Sequence, residues 1–229
     1  MAAFTELKYE RYPLPAHWSK DADKIAFTVD GILDAEECAA LVARADAVGW
    51  KPSPMAPLQM GLRSAIDDAG LAAKIYARLR PYCPPVHMKR RLRGLTPTFR
   101  FVKYPVGASV SPHPDTSGGD KHTPVAAPNC SLFTCLLYLN DGYDGCETCL
   151  LPSPKSAPAP ADPADDSWPD VCYKRGVVVP PARGRVLVFE HDVLHACPPL
   201  RRGEKLVVRS APAQKTIFLP RAGERFSLA

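Results

Sequence analysis

Leu132-Phe-Thr-Cys-Leu-Leu-Tyr-Leu139, closed by Asn140-Asp-Gly142, decides the fold of this 229-residue chain. A short, nearly all-apolar run ending in a turn signal reads as a strand covered on both faces. Working outward, Phe99-Arg-Phe-Val-Lys-Tyr104 is a strand stopped by Pro105 and Gly107. Val177–Val179, Arg185–Phe189, Lys205–Val208 and Thr216–Leu219 complete a β-rich second half. Short strands separated by Gly and Pro turns point to a jelly roll or a barrel.

The first half reads differently. Asp34 is placed to cap a helix, with Glu37 three residues on as in a capping box and Leu33 as the staple. Cys38, Leu41, Val42 and Ala45 then fall on one face, and Gly49 ends the helix. A second helix is expected over Leu71–Leu79, with Leu71, Ile75, Arg78 and Leu79 on one face, halted by Pro81, Pro84 and Pro85. With no interdomain linker before residue 150, residues 1–229 read as one domain: a helical front over 30–85 and a β core over 96–220. Thr116–Asn129 reads as a loop between two strands, and the Pro/Ala-rich residues 153–170 as a mobile insertion.

Composition narrows the function classes. The 26 prolines are about twice average usage, which argues against a helical bundle. No apolar run approaches the roughly 18 residues of a membrane span, and the charged start, Met1-Ala-Ala-Phe-Thr-Glu-Leu-Lys, lacks a secretory signal. A cytoplasmic protein without a membrane partner is expected, with its eight cysteines reduced. Cys146-Glu-Thr-Cys149 is a lone CxxC in a strand-like run, where a zinc site needs two ligand pairs, so ordinary buried thiols are expected. The net charge of +5 is modest, and Lys89-Arg-Arg-Leu-Arg93 contains no aromatic residue to stack on bases. A solvated basic turn and no nucleic-acid partner are expected there.

The residues suited to chemistry lie in the β half. His113 and Asp115 are i and i+2, so extended backbone projects them to one side. An imidazole and a carboxylate on one face make part of a two-histidine, one-carboxylate metal site, which suits non-haem Fe(II) and needs a third ligand from afar. Arg185-Val-Leu-Val-Phe-Glu-His-Asp-Val-Leu-His195 offers His191 and His195. After the Pro198, Pro199 and Gly203 turn, a hairpin is expected to bring the strand from Lys205 beside His195. Lys205, Val207 and Arg209 share parity, so two cations would face a ligand carboxylate. His191-Asp-Val-Leu-His195 also has the spacing of a zinc protease, but Asp192 stands where that motif needs a glutamate and the flanks are strand-like. A structural role for His191 is favoured over that one.

These pieces, in this order, resemble the 2-oxoglutarate- and Fe(II)-dependent dioxygenases, in the branch around prolyl 4-hydroxylase catalytic domains. The resemblance spans roughly residues 30–210. It rests on Ile32-Leu-Asp-Ala-Glu-Glu-Cys38, Tyr104-Pro-Val-Gly107 before His113-Pro-Asp115, Thr134-Cys-Leu-Leu-Tyr-Leu-Asn140 running into Gly145-Cys-Glu-Thr148, and Gly184-Arg-Val-Leu-Val-Phe189 before His195, with Lys205 ten residues later. It implies a double-stranded β-helix (jelly-roll) core with N-terminal supporting helices. It implies His113, Asp115 and His195 as catalytic iron ligands and Lys205 as the residue holding the distal carboxylate of 2-oxoglutarate. Tyr138 and Tyr104 are implied as cosubstrate contacts, with Arg209 sharing the anion-binding role. Cys146 where the family often has glycine, Ala196-Cys-Pro198 after the last histidine, and Arg209-Ser-Ala211 depart from the family pattern without removing a ligand.

The implied reaction is oxidative. Fe(II), 2-oxoglutarate and O2 are implied, with ascorbate as the reductant. Decarboxylation of the cosubstrate to succinate and CO2 is coupled to hydroxylation of a protein, peptide or small-molecule substrate, a prolyl residue being favoured.

Overall fold

The computed structural model describes residues 7–18, 21–56, 59–88, 90–115, 131–153, 172, 176–210 and 212–216. The loop expected at Thr116–Asn129, most of the insertion expected at 153–170 and the strand end expected at 217–219 lie outside the described residues. Alternating side chains build the molecule around one large antiparallel sheet. Its strands run in the order Tyr9–Arg11, Ala26–Val29, Val186–Glu190, Phe133–Tyr138, Lys205–Ser210, Thr98–Tyr104, Leu62–Asp67 and Lys51–Pro52. A smaller antiparallel sheet orders Val177–Val179, Thr148–Leu151, Leu194–Cys197 and Val110–His113.

The two sheets share a core. Val102, Tyr104, Tyr138, Leu187, Phe189 and Val207 of the large sheet pack with Val110, Leu150, Val179 and Cys197 of the small one. Residues of opposite parity, among them Phe99, Phe101, Cys135, Leu137, Val186, Val188, Leu206 and Val208, point outward. There they meet Cys38, Leu41, Ala45, Ala72, Ile75 and Leu79 of two helices. This explains why Phe133–Tyr138 is apolar almost throughout: one parity faces the facing sheet and the other faces the helices.

The first helix, Ala35–Val48, starts at the expected capping box. The Asp34 carboxylate accepts from Glu37 N at 2.8 Å, and Asp34 N donates to Glu37 Oε2 at 3.0 Å. Gly49 terminates it at φ 91°. The second helix, Ala69–Leu79, starts two residues earlier than the periodicity indicates, because Asp68 caps it by accepting from Leu71 N. Arg78, expected on the apolar face, instead donates to Ile32 O at 2.8 Å and to Glu37 Oε2 at 2.6 Å, tying one helix to the other.

Three local expectations are corrected. The front is not purely helical: Leu62–Asp67 adds to the large sheet beside Thr98–Tyr104. The basic run is not a turn, since Arg90–Leu95 pairs with Val86–His87 and Pro212–Thr216, with Leu92 buried between exposed Arg91 and Arg93. The strand from Lys205 does not lie beside His195. It enters the large sheet between Thr98–Tyr104 and Phe133–Tyr138, whereas His195 sits in the small sheet. The short strand Leu200–Arg202, paired with Asp144–Gly145, carries the chain from one to the other.

Gly184 joins the helical layer to the sheet. Its N–H donates to Tyr138 O at 2.9 Å, its carbonyl accepts from Leu33 N, and its φ is +80°. A Cβ there would stand 2.0 Å from Leu33 O, whereas one at Gly142, with φ +76°, meets nothing within 4 Å. Gly142→Ala is therefore expected to cost about 1–2 kcal/mol from backbone conformation alone, and Gly184→Ala distinctly more. Urea midpoints of the two variants check this, and equal losses would contradict the Leu33 contact.

Candidate metal and cosubstrate site

One antiparallel ladder sets the geometry. His195 and His113 are direct register partners across Leu194–Cys197 and Val110–His113, with ring centroids 4.4 Å apart. Each ring is oriented by its own backbone: His113 Nδ1 lies 2.8 Å from Ser111 O, and His195 Nδ1 lies 3.0 Å from Val193 O. A carbonyl only accepts, so both Nδ1 atoms carry the hydrogen and both Nε2 atoms keep a lone pair. That is the tautomer a metal-binding imidazole needs, held by the kind of outer contact that fixes ligands elsewhere.

Asp115 follows the strand end and is steadied by its N–H, which donates to His191 O at 2.7 Å. Its Oδ2 is 3.9 Å from His195 Nε2. Ligand atoms of His113, Asp115 and His195 all lie within 4.8 Å of one another, and among the described residues no other group of three His, Cys, Asp or Glu does so. The donor set fits a metal: two imidazoles and one carboxylate, with the open faces expected of a non-haem iron centre. The thiols of the CxxC do not join such a cluster. Cys149 Sγ instead donates to Glu147 O at 3.8 Å.

The opposite wall comes from the large sheet. Lys205 is 1% exposed, and its Nζ donates to Cys146 O at 2.6 Å and approaches Cys197 Sγ at 3.3 Å. It lies 5.3 Å from the Tyr104 ring centroid and 6.0 Å from that of Tyr138. Tyr138 donates its hydroxyl to Thr148 Oγ1 at 2.8 Å. Lys205, Tyr104 and Arg209 line the same cavity as His113, Asp115 and His195, joined by Gln59, Arg63, Thr134, Leu136, Thr148 and Phe189. Arg209 Nη2 is 2.9 Å from Asp115 Oδ1.

Electrostatics keep the ligands in binding form. Burial pushes His195 down to about 4 against the pull of Asp115, and burial likewise pushes His191 down to about 4. For Asp115 burial works upward, but His195, Arg209 and the Thr134 hydroxyl outweigh it and hold the carboxyl below its ordinary range. Tyr104 is pushed up to about 12 by burial, so its hydroxyl stays protonated.

Several residues escaped sequence reading. Thr134 had a usable signal, since it shares strand parity with Tyr138. Gln59 had none. It stands outside the named strands, bridges to Val110, and brings Nε2 within 3.0 Å of His113 Nε2. His191 fits a structural role only in part: Nδ1 meets Thr134 Oγ1 at 2.9 Å, while its buried Nε2 has no hydrogen-bond partner among the described residues.

A pH dependence follows. His191 and His195 take up protons near 6.5 when unfolded and only near 4 when folded. Between these values the unfolded chain binds more protons, so stability is full above about 6.5 and falls as pH drops toward 4. Urea midpoints of chelator-treated protein are expected to fall over that window, and less steeply in His191→Phe. A flat profile would mean that both imidazoles protonate freely in the fold.

Comparison with known proteins finds no matching family model and no matching curated protein. Solved structures do match. A Pseudomonas putida prolyl-4-hydroxylase aligns over 86% of this chain and 97% of its own at 20% identity and TM-score 0.54. The viral collagen prolyl hydroxylase of Paramecium Bursaria Chlorella virus-1, in its 2-oxoglutarate complex, covers 83% and 96% at 15% identity and TM-score 0.52. HygX from Streptomyces hygroscopicus, with nickel and 2-oxoglutarate bound, covers 89% and 87% at 15% identity and TM-score 0.55. At these identities the likeness is one of fold, and the chain has the double-stranded β-helix fold of these proteins.

Proposed function

We propose that this protein is a 2-oxoglutarate- and Fe(II)-dependent oxygenase. The observation that carries the reading is the convergence of the His113, Asp115 and His195 ligand atoms within 4.8 Å in a cavity that also holds the buried ammonium of Lys205. In this reading those three side chains hold the iron, and Lys205 receives the distal carboxylate of 2-oxoglutarate. A buried ammonium held by a carbonyl and the Cys197 sulfur, with no carboxylate partner among the described residues, is suited to an anionic ligand. The rings of Tyr104 and Tyr138 flank the Lys205 ammonium. Iron supplies the O2 chemistry, and ascorbate serves as its reductant.

Hydroxylation of a prolyl residue in a polypeptide is the favoured substrate reading. It rests on the sequence resemblance and on the likeness to two prolyl hydroxylases. A small-molecule substrate is the alternative, favoured by the likeness to HygX, whose structure is also known with hygromycin B bound.

Two experiments test the class. Purified protein given 2-oxoglutarate under air is expected to release succinate only with Fe(II), and His113→Ala is expected to lose this. Turnover of another substrate without O2 or 2-oxoglutarate would point to a hydrolase instead. Lys205→Met removes one partner of a desolvated charge pair, a loss of about 2–5 kcal/mol, or roughly 30- to 5,000-fold in 2-oxoglutarate affinity. Iron binding is expected to change little. Anaerobic titration of the Fe(II) protein with 2-oxoglutarate measures both, and unchanged affinity would place the anchoring cation elsewhere.

A further inference from the structure

The inward face of Lys205–Ser210 carries two cations whose surroundings differ. Lys205 touches no carboxylate among the described residues, whereas Arg209 is paired with Asp115 Oδ1 at 2.9 Å. The other carboxylate oxygen, Oδ2, accepts the Thr134 hydroxyl. An ionised carboxylate cannot donate, so the single Thr134 proton goes to Asp115. The 2.9 Å contact between Thr134 Oγ1 and His191 Nδ1 must then run the other way, with His191 Nδ1–H donating. His191 thus acts on Asp115 twice: its carbonyl accepts the Asp115 N–H at 2.7 Å, and its ring acts through Thr134 on the side chain.

We propose that Arg209, Thr134 and His191 are positioning residues that hold the Asp115 carboxylate to one-oxygen contact with the metal, and that Arg209 is not a cosubstrate anchor. The inference rests on the iron reading above. Each carboxylate oxygen already has one protein donor, so turning the group to chelate through both oxygens would disturb these bonds. That restraint has a chemical purpose. Two histidines and a one-oxygen carboxylate leave open the positions that cosubstrate and O2 require; a chelating carboxylate would take one of them. The division between the cations follows from position. Lys205 pairs in register with Tyr104 and Arg209 with Leu136, four residues apart on one face, so one reaches the thiol-lined end and the other the carboxylate.

The test separates metal from cosubstrate. Protein freed of metal is titrated anaerobically with Fe(II) and with Co(II), without 2-oxoglutarate, and the metal-saturated protein is then titrated with 2-oxoglutarate. His113→Ala should abolish metal binding; retention there would overturn the iron reading and this inference with it. Thr134→Val is expected to weaken metal binding roughly 10- to 100-fold, with Thr134→Ser restoring most of it. His191→Phe, which keeps the ring volume without the donor, should act in the same direction. Arg209→Gln and Thr134→Val should both alter the visible Co(II) absorption, which reports coordination number, while Lys205→Met should not. In Arg209→Gln, 2-oxoglutarate affinity should fall far less than in Lys205→Met. With wild-type metal binding intact, an Arg209→Gln protein that keeps its Co(II) spectrum but matches Lys205→Met in cosubstrate loss would overturn the proposal. Unchanged metal affinity in Thr134→Val would do the same.

Discussion

The pairing of His113 with His195 across one antiparallel ladder is the contact from which the site is built. Strand geometry puts directly opposed side chains about 5 Å apart on a common face, so two rings meet without any special loop. Each Nδ1 is engaged by a carbonyl two residues back along the chain, which leaves each Nε2 with its lone pair, that of His113 facing Gln59 Nε2. The ladder therefore sets spacing, orientation and tautomer together. Burial supplies the protonation state, because a dry imidazole resists becoming charged.

The large sheet completes what the small one begins. Its inward parity presents Lys205, Arg209 and Thr134 to the cavity that the imidazoles line, and its outward parity is mostly apolar and covered by two helices. Polar groups on an inner face are costly unless paired. Here nearly every one is paired: Lys205 with a carbonyl and the Cys197 sulfur, Arg209 with Asp115, Tyr138 with Thr148. The outer face is mostly apolar, and the helices act as its cover. Charged groups gathered on the inner face around a cavity are what a binding site inside a β-sandwich looks like.

The thiols show how local sequence can mislead about partners. Cys146 and Cys149 are three residues apart, yet Cys146 adopts φ +58° beside Gly145, and Cys149 Sγ turns to Glu147 O. Cys146 offers its carbonyl to Lys205. A spacing that suggests a metal pair thus serves two separate contacts, because the backbone turns between them.

Much of this was legible in the residues alone. The capping box at Asp34 and Glu37 is a local interaction, so its sequence signature suffices. Period two after residue 96 follows from alternation along a strand, and the shared parity of Lys205 and Arg209 is a property of one strand taken by itself. The composition of Leu132–Leu139 likewise required cover on both faces. What tertiary structure alone decided is which strand meets which. The Lys205 strand reads as the next arm of a hairpin with His195, yet it pairs with Thr98–Tyr104 and Phe133–Tyr138, since Leu200–Arg202 carries the chain across to the other sheet. Gln59 against His113, Thr134 between His191 and Asp115, and Arg209 on Asp115 are contacts between residues 19 to 94 positions apart. No pattern within a segment encodes them, because the energy that sets them comes from closing the two sheets over a common interior.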